Sequence, residues 1–150
     1  MLKENTTDIR KERHKITQED FTPPEIVDIL LQGQNELFKN FNKTFLDPCI
    51  GIGYIYIGVL HNRLNYCKTT DDILFAISTM YGTELMEDNV EECKKNIVYE
   101  IMKFTSSHNL DINEKEVLKI LNHNIVCTDT FKWDYENWCP LKEIKAEPLF

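Results

Sequence analysis

Asp47-Pro48-Cys49-Ile50-Gly51-Ile52-Gly53 is the stretch whose reading decides the fold of this chain. It follows a short, largely apolar run ending Phe45-Leu46, which suits a strand buried in a parallel sheet. A helix-capable stretch begins beyond it near Tyr54. A strand, an acid, a proline, two glycines one residue apart and a helix together make a turn of the kind that holds nucleotides. Glycine has no Cβ, so its backbone approaches a ligand closely and adopts positive φ. The helix behind it offers unpaired N–H groups to a carboxylate or phosphate. The same spacing also occurs in ordinary strand-to-helix loops, so the rest of the chain has to arbitrate.

Working outward, Pro23 and Pro24 suit a first helical turn with Thr22 as N-cap. Ile26, Ile29, Leu30 and Leu37 recur near helical spacing and predict one amphipathic helix over 24–38. Residues 44–47 form the first predicted strand. Residues 53–65 are rich in β-branched side chains, yet their place behind a glycine turn predicts a buried helix. Asp71 and Asp72 cap a short helix running to Ser78, and residues 80–84 are the second strand. The longest helix spans 88–107, with Val90, Cys93, Ile97, Ile101 and Phe104 on one face. Another covers 114–122 with Val117, Leu118 and Leu121 inward, and residues 125–129 form the third strand.

Strands alternating with helices imply βαβ units, right-handed crossovers and a parallel sheet. The expected class is α/β: a Rossmann-like, three-layer αβα arrangement on a truncated, mostly parallel sheet, with helices 24–38, 53–65 and 88–107 over its two faces. A polar arm over 1–20, a domain over 21–138 and a tail over 139–150 complete the organisation. Ligands of such sheets bind beyond the carboxyl ends of the strands. Asp47, Glu84 and Asp129 each end, or nearly end, a predicted strand, so all three face one crevice. Glu84 is placed to accept from ribose hydroxyls and Asp129 from an adenine amine, while Phe131 can stack on the purine. The competing reading makes Glu84 a cap of the next helix and Asp129 a cap of a turn.

Composition narrows the classes. The chain has 150 residues, 42% of them hydrophobic, which suffices for one domain core. No run approaches the ~20 apolar residues that cross a membrane, and Met1-Leu2-Lys3-Glu4-Asn5 carries no apolar leader. Cys49, Cys67, Cys93, Cys127 and Cys139 are odd in number and widely spaced, which suits free thiols in a reducing cytoplasm. Four isolated histidines give no metal cluster. A net charge of −8 disfavours unaided binding to DNA. Within the arm, however, Arg10, Lys11, Arg13 and Lys15 stand against Glu12 alone between Ile9 and Ile16, a weak candidate DNA contact that competes with a solvated leader.

Phe21-Thr22-Pro23-Pro24, then Leu46-Asp47-Pro48-Cys49-Ile50-Gly51-Ile52-Gly53, then Tyr81-Gly82-Thr83-Glu84, then Asn124-Ile125-Val126-Cys127-Thr128-Asp129 resembles the S-adenosylmethionine half of the N6-adenine DNA methyltransferases. The similarity is to the F-T-P-P type, which includes modification subunits of restriction systems and short phage-borne relatives. It extends over roughly residues 18–135. The resemblance implies S-adenosylmethionine as cofactor. Phe21, Thr22 and Pro23 would close over its methionine end, and Asp47, Pro48, Gly51 and Gly53 would hold the methionyl part. Glu84 with Leu85 would hold the ribose, and Asp129, Thr130 and Phe131 the adenine.

Two departures stand out. Ile50, not cysteine, directly precedes the first glycine, with Cys49 one place earlier. The family's catalytic [DNS]-P-P-[YF] segment, which accepts from the target amine and stacks on the flipped base, has no counterpart, and Glu147-Pro148-Leu149-Phe150 lacks the acceptor and the second proline. No catalytic residue is therefore assigned. Three functions compete: an adenine-specific methyltransferase or subunit needing a partner, a catalytically silent cofactor-binding module such as a phage modulator, and an unrelated nucleotide-binding α/β protein, against which the four segments together argue. With three strands, one flank of strand 44–47 is expected to lie open. Trp133, Tyr135 and Trp138 then serve either a homodimer or partner-subunit interface or the chain's own open edge.

Overall fold

Strands of three to five residues pair in the order in which the chain makes them. In the computed structural model, which describes residues 21–142, β1 (Phe45–Asp47), β2 (Met80–Glu84) and β3 (Ile125–Cys127) form a parallel sheet in the order β1-β2-β3. Leu46 lies opposite Tyr81, and Thr83 opposite Val126. Side chains alternate along a strand, so these four share one face, and Phe45, Asp47, Met80, Gly82, Glu84 and Ile125 share the other.

Among the described residues six helices accompany the sheet: α1 (Pro24–Leu30), α2 (Asn35–Lys39), α3 (Tyr54–Leu64), α4 (Thr70–Ser78), α5 (Glu87–Ser107) and α6 (Glu114–Asn124). A sheet in chain order with right-handed crossovers carries its connecting helices on one face. There the core closes over Met80 and Ile125, with Tyr56, Val59, Leu60, Ile73, Ile97, Ile101, Val117 and Leu121. The predicted inward stripe of α5 is buried at Val90, Cys93, Ile97 and Ile101.

The second face takes no helical layer among the described residues, which corrects the three-layer expectation. It carries an antiparallel hairpin of β4 (Trp133–Asp134) and β5 (Cys139–Pro140). Trp138 packs edge-on to Tyr81 at 4.7 Å and to Trp133 at 5.4 Å, and its indole N–H donates to the His123 carbonyl at 2.7 Å. The aromatic trio thus folds onto its own sheet at β2. Among the described residues no strand pairs with the outer flank of β1, and Leu46 is 39% exposed. The hairpin also crosses the expected boundary at residue 138. The tail from 143 and the basic arm lie outside the described residues.

Several local expectations change. The single helix over 24–38 is two, because the chain turns at Leu31–Gln34 with Gly33 at φ 80°. Ile26, Ile29 and Leu30 face outward; Val27 is the residue of α1 that is buried. The cause is Gly58 in α3: a Cβ there would stand 2.5 Å from Val27 and 2.9 Å from Leu31, so its absence lets α1 dock by that side. Pro23, not Thr22, is the N-cap of α1, without a side-chain bond. Thr69 caps α4 in a capping box with Asp72, where Asp71 and Asp72 were expected to cap.

Arg63 of α3 ties these pieces together. It is fully buried and donates to the carbonyls of Leu37 at 3.2 Å, Ala76 at 2.6 Å and Lys43, and to the Thr79 hydroxyl at 2.8 Å. A guanidinium among carbonyls near the ends of α2 and α4 meets the negative ends of those helices.

Candidate functional site

The turn after β1 is fastened at both ends. Ile50 donates to the Thr83 carbonyl at 3.0 Å, and the Thr83 hydroxyl donates to the Pro48 carbonyl at 2.7 Å. Ile50 is 4% exposed and lies on Gly82, where a Cβ would come within 2.5 Å of it. The aliphatic side chain fills the space over Gly82, and Cys49 faces outward.

Gly51 (φ 55°) and Gly53 (φ 94°) occupy left-handed backbone, which favours glycine at both. Gly53 is also the N-cap of α3, and its carbonyl accepts from Ile57 at 2.8 Å. From the far side Asn96 of α5 donates to the Ile52 carbonyl at 3.1 Å. The Phe21 ring lies over the turn, 3.2 Å from where a Gly51 Cβ would stand, and meets Tyr54 edge-on at 6.4 Å.

The three acids repeat one local device. Asp47 accepts the Cys49 N–H at 3.1 Å, Glu84 the Met86 N–H at 2.9 Å and Asp129 the Phe131 N–H at 3.0 Å, each two residues ahead. Such bonds fold the chain back at a strand end. Glu84 adds a second, its Oε2 accepting the Gly51 N–H at 2.9 Å, so it bridges β2 to the glycine turn. Asp47 and Glu84 end their strands, while Asp129 lies two residues past β3 and caps a short 3-10 turn, Thr130–Lys132. Of the capping roles weighed against ligand binding, that of Asp129 is real, while Glu84 bonds the N-cap residue Met86 and no N–H of the first turn of α5; each carboxylate keeps lone pairs beyond these bonds.

These segments enclose a cleft of about 410 Å³ at the carboxyl ends of the strands. Of the sequence-predicted residues, Phe21, Thr22, Asp47, Pro48, Gly51, Glu84, Leu85, Asp129, Thr130 and Phe131 line it. Pro23 and Gly53 do not: the first heads α1 in solvent, and the second is buried beneath the turn against Cys93. Cys49, Ile50, Ile52, Tyr54, Ile55, Met86 and Thr128 complete the lining without having been assigned to the site. Their signal was adjacency to the motif residues. Phe131 stands 88% exposed at the rim, while Asp47 is 9% exposed at the base.

Burial pushes the Asp47 carboxyl above its ordinary value, the Cys49 N–H opposes this, and the Glu84 charge adds to the rise. The buried Cys93 thiol is also pushed up, mainly by burial and then by the Asp47 charge. Tyr135 joins the hairpin to the cleft walls: its hydroxyl bonds the Thr130 hydroxyl, donates to the Thr130 carbonyl at 2.9 Å and lies 3.4 Å from the Thr83 hydroxyl. Among the described residues no His, Cys, Asp and Glu cluster is placed to hold a metal ion, and no helix is long and apolar enough to cross a membrane. The arrangement can hold a flat, hydrogen-bonding ligand along the strand ends, with acids at its base and an aromatic ring at its rim. No protein-family model, no curated protein and no solved structure matches this chain.

Proposed function

We propose that the chain is an S-adenosylmethionine-binding protein of the adenine-specific DNA methyltransferase type, whose Rossmann-like domain holds the cofactor over the Gly51 turn. The observation that carries this reading is the gathering of Phe21, Asp47, Gly51, Glu84, Asp129 and Phe131, from four separate segments, around one cleft. In this reading Glu84 and Asp129 accept from ribose and adenine with lone pairs not used in their turns, and Phe131 stacks on the purine. The described residues offer no [DNS]-P-P-[YF] segment to receive a target amine. This absence favours a second reading within the same class, a cofactor-binding module that acts on methylation only through a partner chain.

Isothermal calorimetry with S-adenosylmethionine and S-adenosylhomocysteine tests the binding, and silence of both up to millimolar concentration refutes it. Gly51→Val places a β-branched side chain on φ 55° backbone against Phe21 and should abolish binding in a folded protein. Normal binding by that variant would reduce the turn to architecture. The purified chain alone should transfer no labelled methyl to adenine in DNA, and robust transfer would overturn that part of the proposal.

A further inference from the structure

The cleft has a one-sided charge. Asp47, Glu84 and Asp129 line it, and no lysine, arginine or histidine does so among the described residues. Lys132 lies beside it, with its Nζ 4.0 Å from Asp129 Oδ2 on a side chain 80% exposed. Asp47 is more constrained. It is nine-tenths withdrawn from water, one oxygen accepts the Cys49 N–H, and the other has no hydrogen-bond partner among the described residues. A carboxylate so placed is costly unless a donor or a cation meets it. The thiols around the cleft feel the same field: Cys49 is pushed up by burial and then by Asp47 and Glu84, and Cys127 by burial and then by Glu87 and Glu84.

We propose that this cleft selects its ligand by charge, preferring adenosine compounds with a positive centre beside the sugar and rejecting those with a phosphate there. The inference rests on the S-adenosylmethionine reading and adds a direction to it. S-adenosylmethionine and S-adenosylhomocysteine differ by one methyl group and one unit of positive charge on sulfur. A single carboxylate about 4 Å from such a charge, even in water-like surroundings, changes affinity about fivefold. The sulfonium form therefore binds at least that much more tightly than the neutral thioether. Adenosine 5′-monophosphate meets carboxylates and no cation, and binds at least about fivefold more weakly than adenosine. A protein built this way keeps the methyl donor and lets the demethylated product go.

Calorimetry on the full chain with S-adenosylmethionine, S-adenosylhomocysteine, adenosine and adenosine monophosphate, at low and at high salt, tests the inference. The expected result is a preference for the sulfonium over the thioether that shrinks as salt screens the carboxylates. Asp47→Asn, which keeps the acceptor for the Cys49 N–H, should shrink it too while changing adenosine affinity less. Equal affinities for the first two ligands, or monophosphate binding as well as adenosine, overturns the charge selection while leaving the adenosyl site standing. The monophosphate result would mean that a cation from beyond the described residues reaches the cleft. If Asp47→Asn fails to fold, the salt series on the unaltered chain still decides. Silence of all four ligands overturns the underlying reading, and this one with it.

Discussion

Gly53→Ala should cost far more than an ordinary helix-terminal substitution, and the structure divides the cost into two parts. The first is backbone strain, because φ 94° lies in the left-handed region; an L-residue there costs about 1–2 kcal/mol. The second is steric: the new Cβ would stand 2.8 Å from the Cys93 Sγ, a side chain fully buried in α5. Forcing such a contact in a packed core costs about 1–3 kcal/mol. Together the two reach about 2–5 kcal/mol, a large share of the 5–15 kcal/mol typical of a domain. In a Cys93→Ala background the sulfur is gone, and the next neighbours, the Cβ of residue 93 and Ile57 Cδ1, both stand 3.8 Å away in ordinary contact. There the same substitution should cost only the strain, about 1–2 kcal/mol. Urea unfolding of the four proteins, with midpoints compared at unchanged m, closes the cycle. If Gly53→Ala costs the same in both backgrounds, the close approach of α5 to the turn is not what excludes a side chain at Gly53.

Three other outcomes follow from the same geometry. Arg63→Met should lower stability by about 3–5 kcal/mol, because it strands several buried acceptors that now share one guanidinium; a loss below about 1 kcal/mol in urea melts would show that water replaces it. Asp47 has a folded-state pKa raised by burial, so its ionised form opposes folding at neutral pH, and stability is regained as pH falls through that raised value. Asp47→Asn should therefore raise the urea midpoint at pH 7 and remove that segment of the pH profile; a lower midpoint at pH 7 with an intact fold would reverse the sign assigned here. Tyr135→Phe removes the hydroxyl that bonds Thr130, costing about 1 kcal/mol, and should weaken ligand binding several-fold; unaltered affinity by calorimetry would detach the hairpin from the cleft.

Much of this molecule was legible because its longest signals are periodic. The stripe Val90, Cys93, Ile97 and Ile101 repeats at helical spacing and is buried as read, and β2 spans 80–84 as expected. The strand-end acids were found because a parallel sheet obliges its ends to share a crevice. What escaped was set by distant partners. Ile26, Ile29 and Leu30 have the spacing of an inward face, but Gly58, more than twenty residues away, decides which side of α1 docks. The role of Arg63 went unread because its acceptors include main-chain carbonyls, which carry no sequence signal. The β4–β5 hairpin has two residues per strand, too few for alternation to register. Glu84 was read as a ribose acceptor or a helix cap, and its bond to Gly51 crosses 33 residues that no local pattern connects.

The order β1-β2-β3 has a kinetic consequence. Each strand is laid beside the one made just before it, so Asp47 and Glu84 meet as soon as the first two strands pair, and Asp129 arrives only with the third. The complete cleft thus exists only once the last parallel strand is in place. A ligand that needs all three acids finds nothing to grip in a partly folded chain, and its binding energy appears after the folding barrier has been crossed. Saturating ligand should therefore slow the escape from the native state while leaving the rate of its formation nearly untouched.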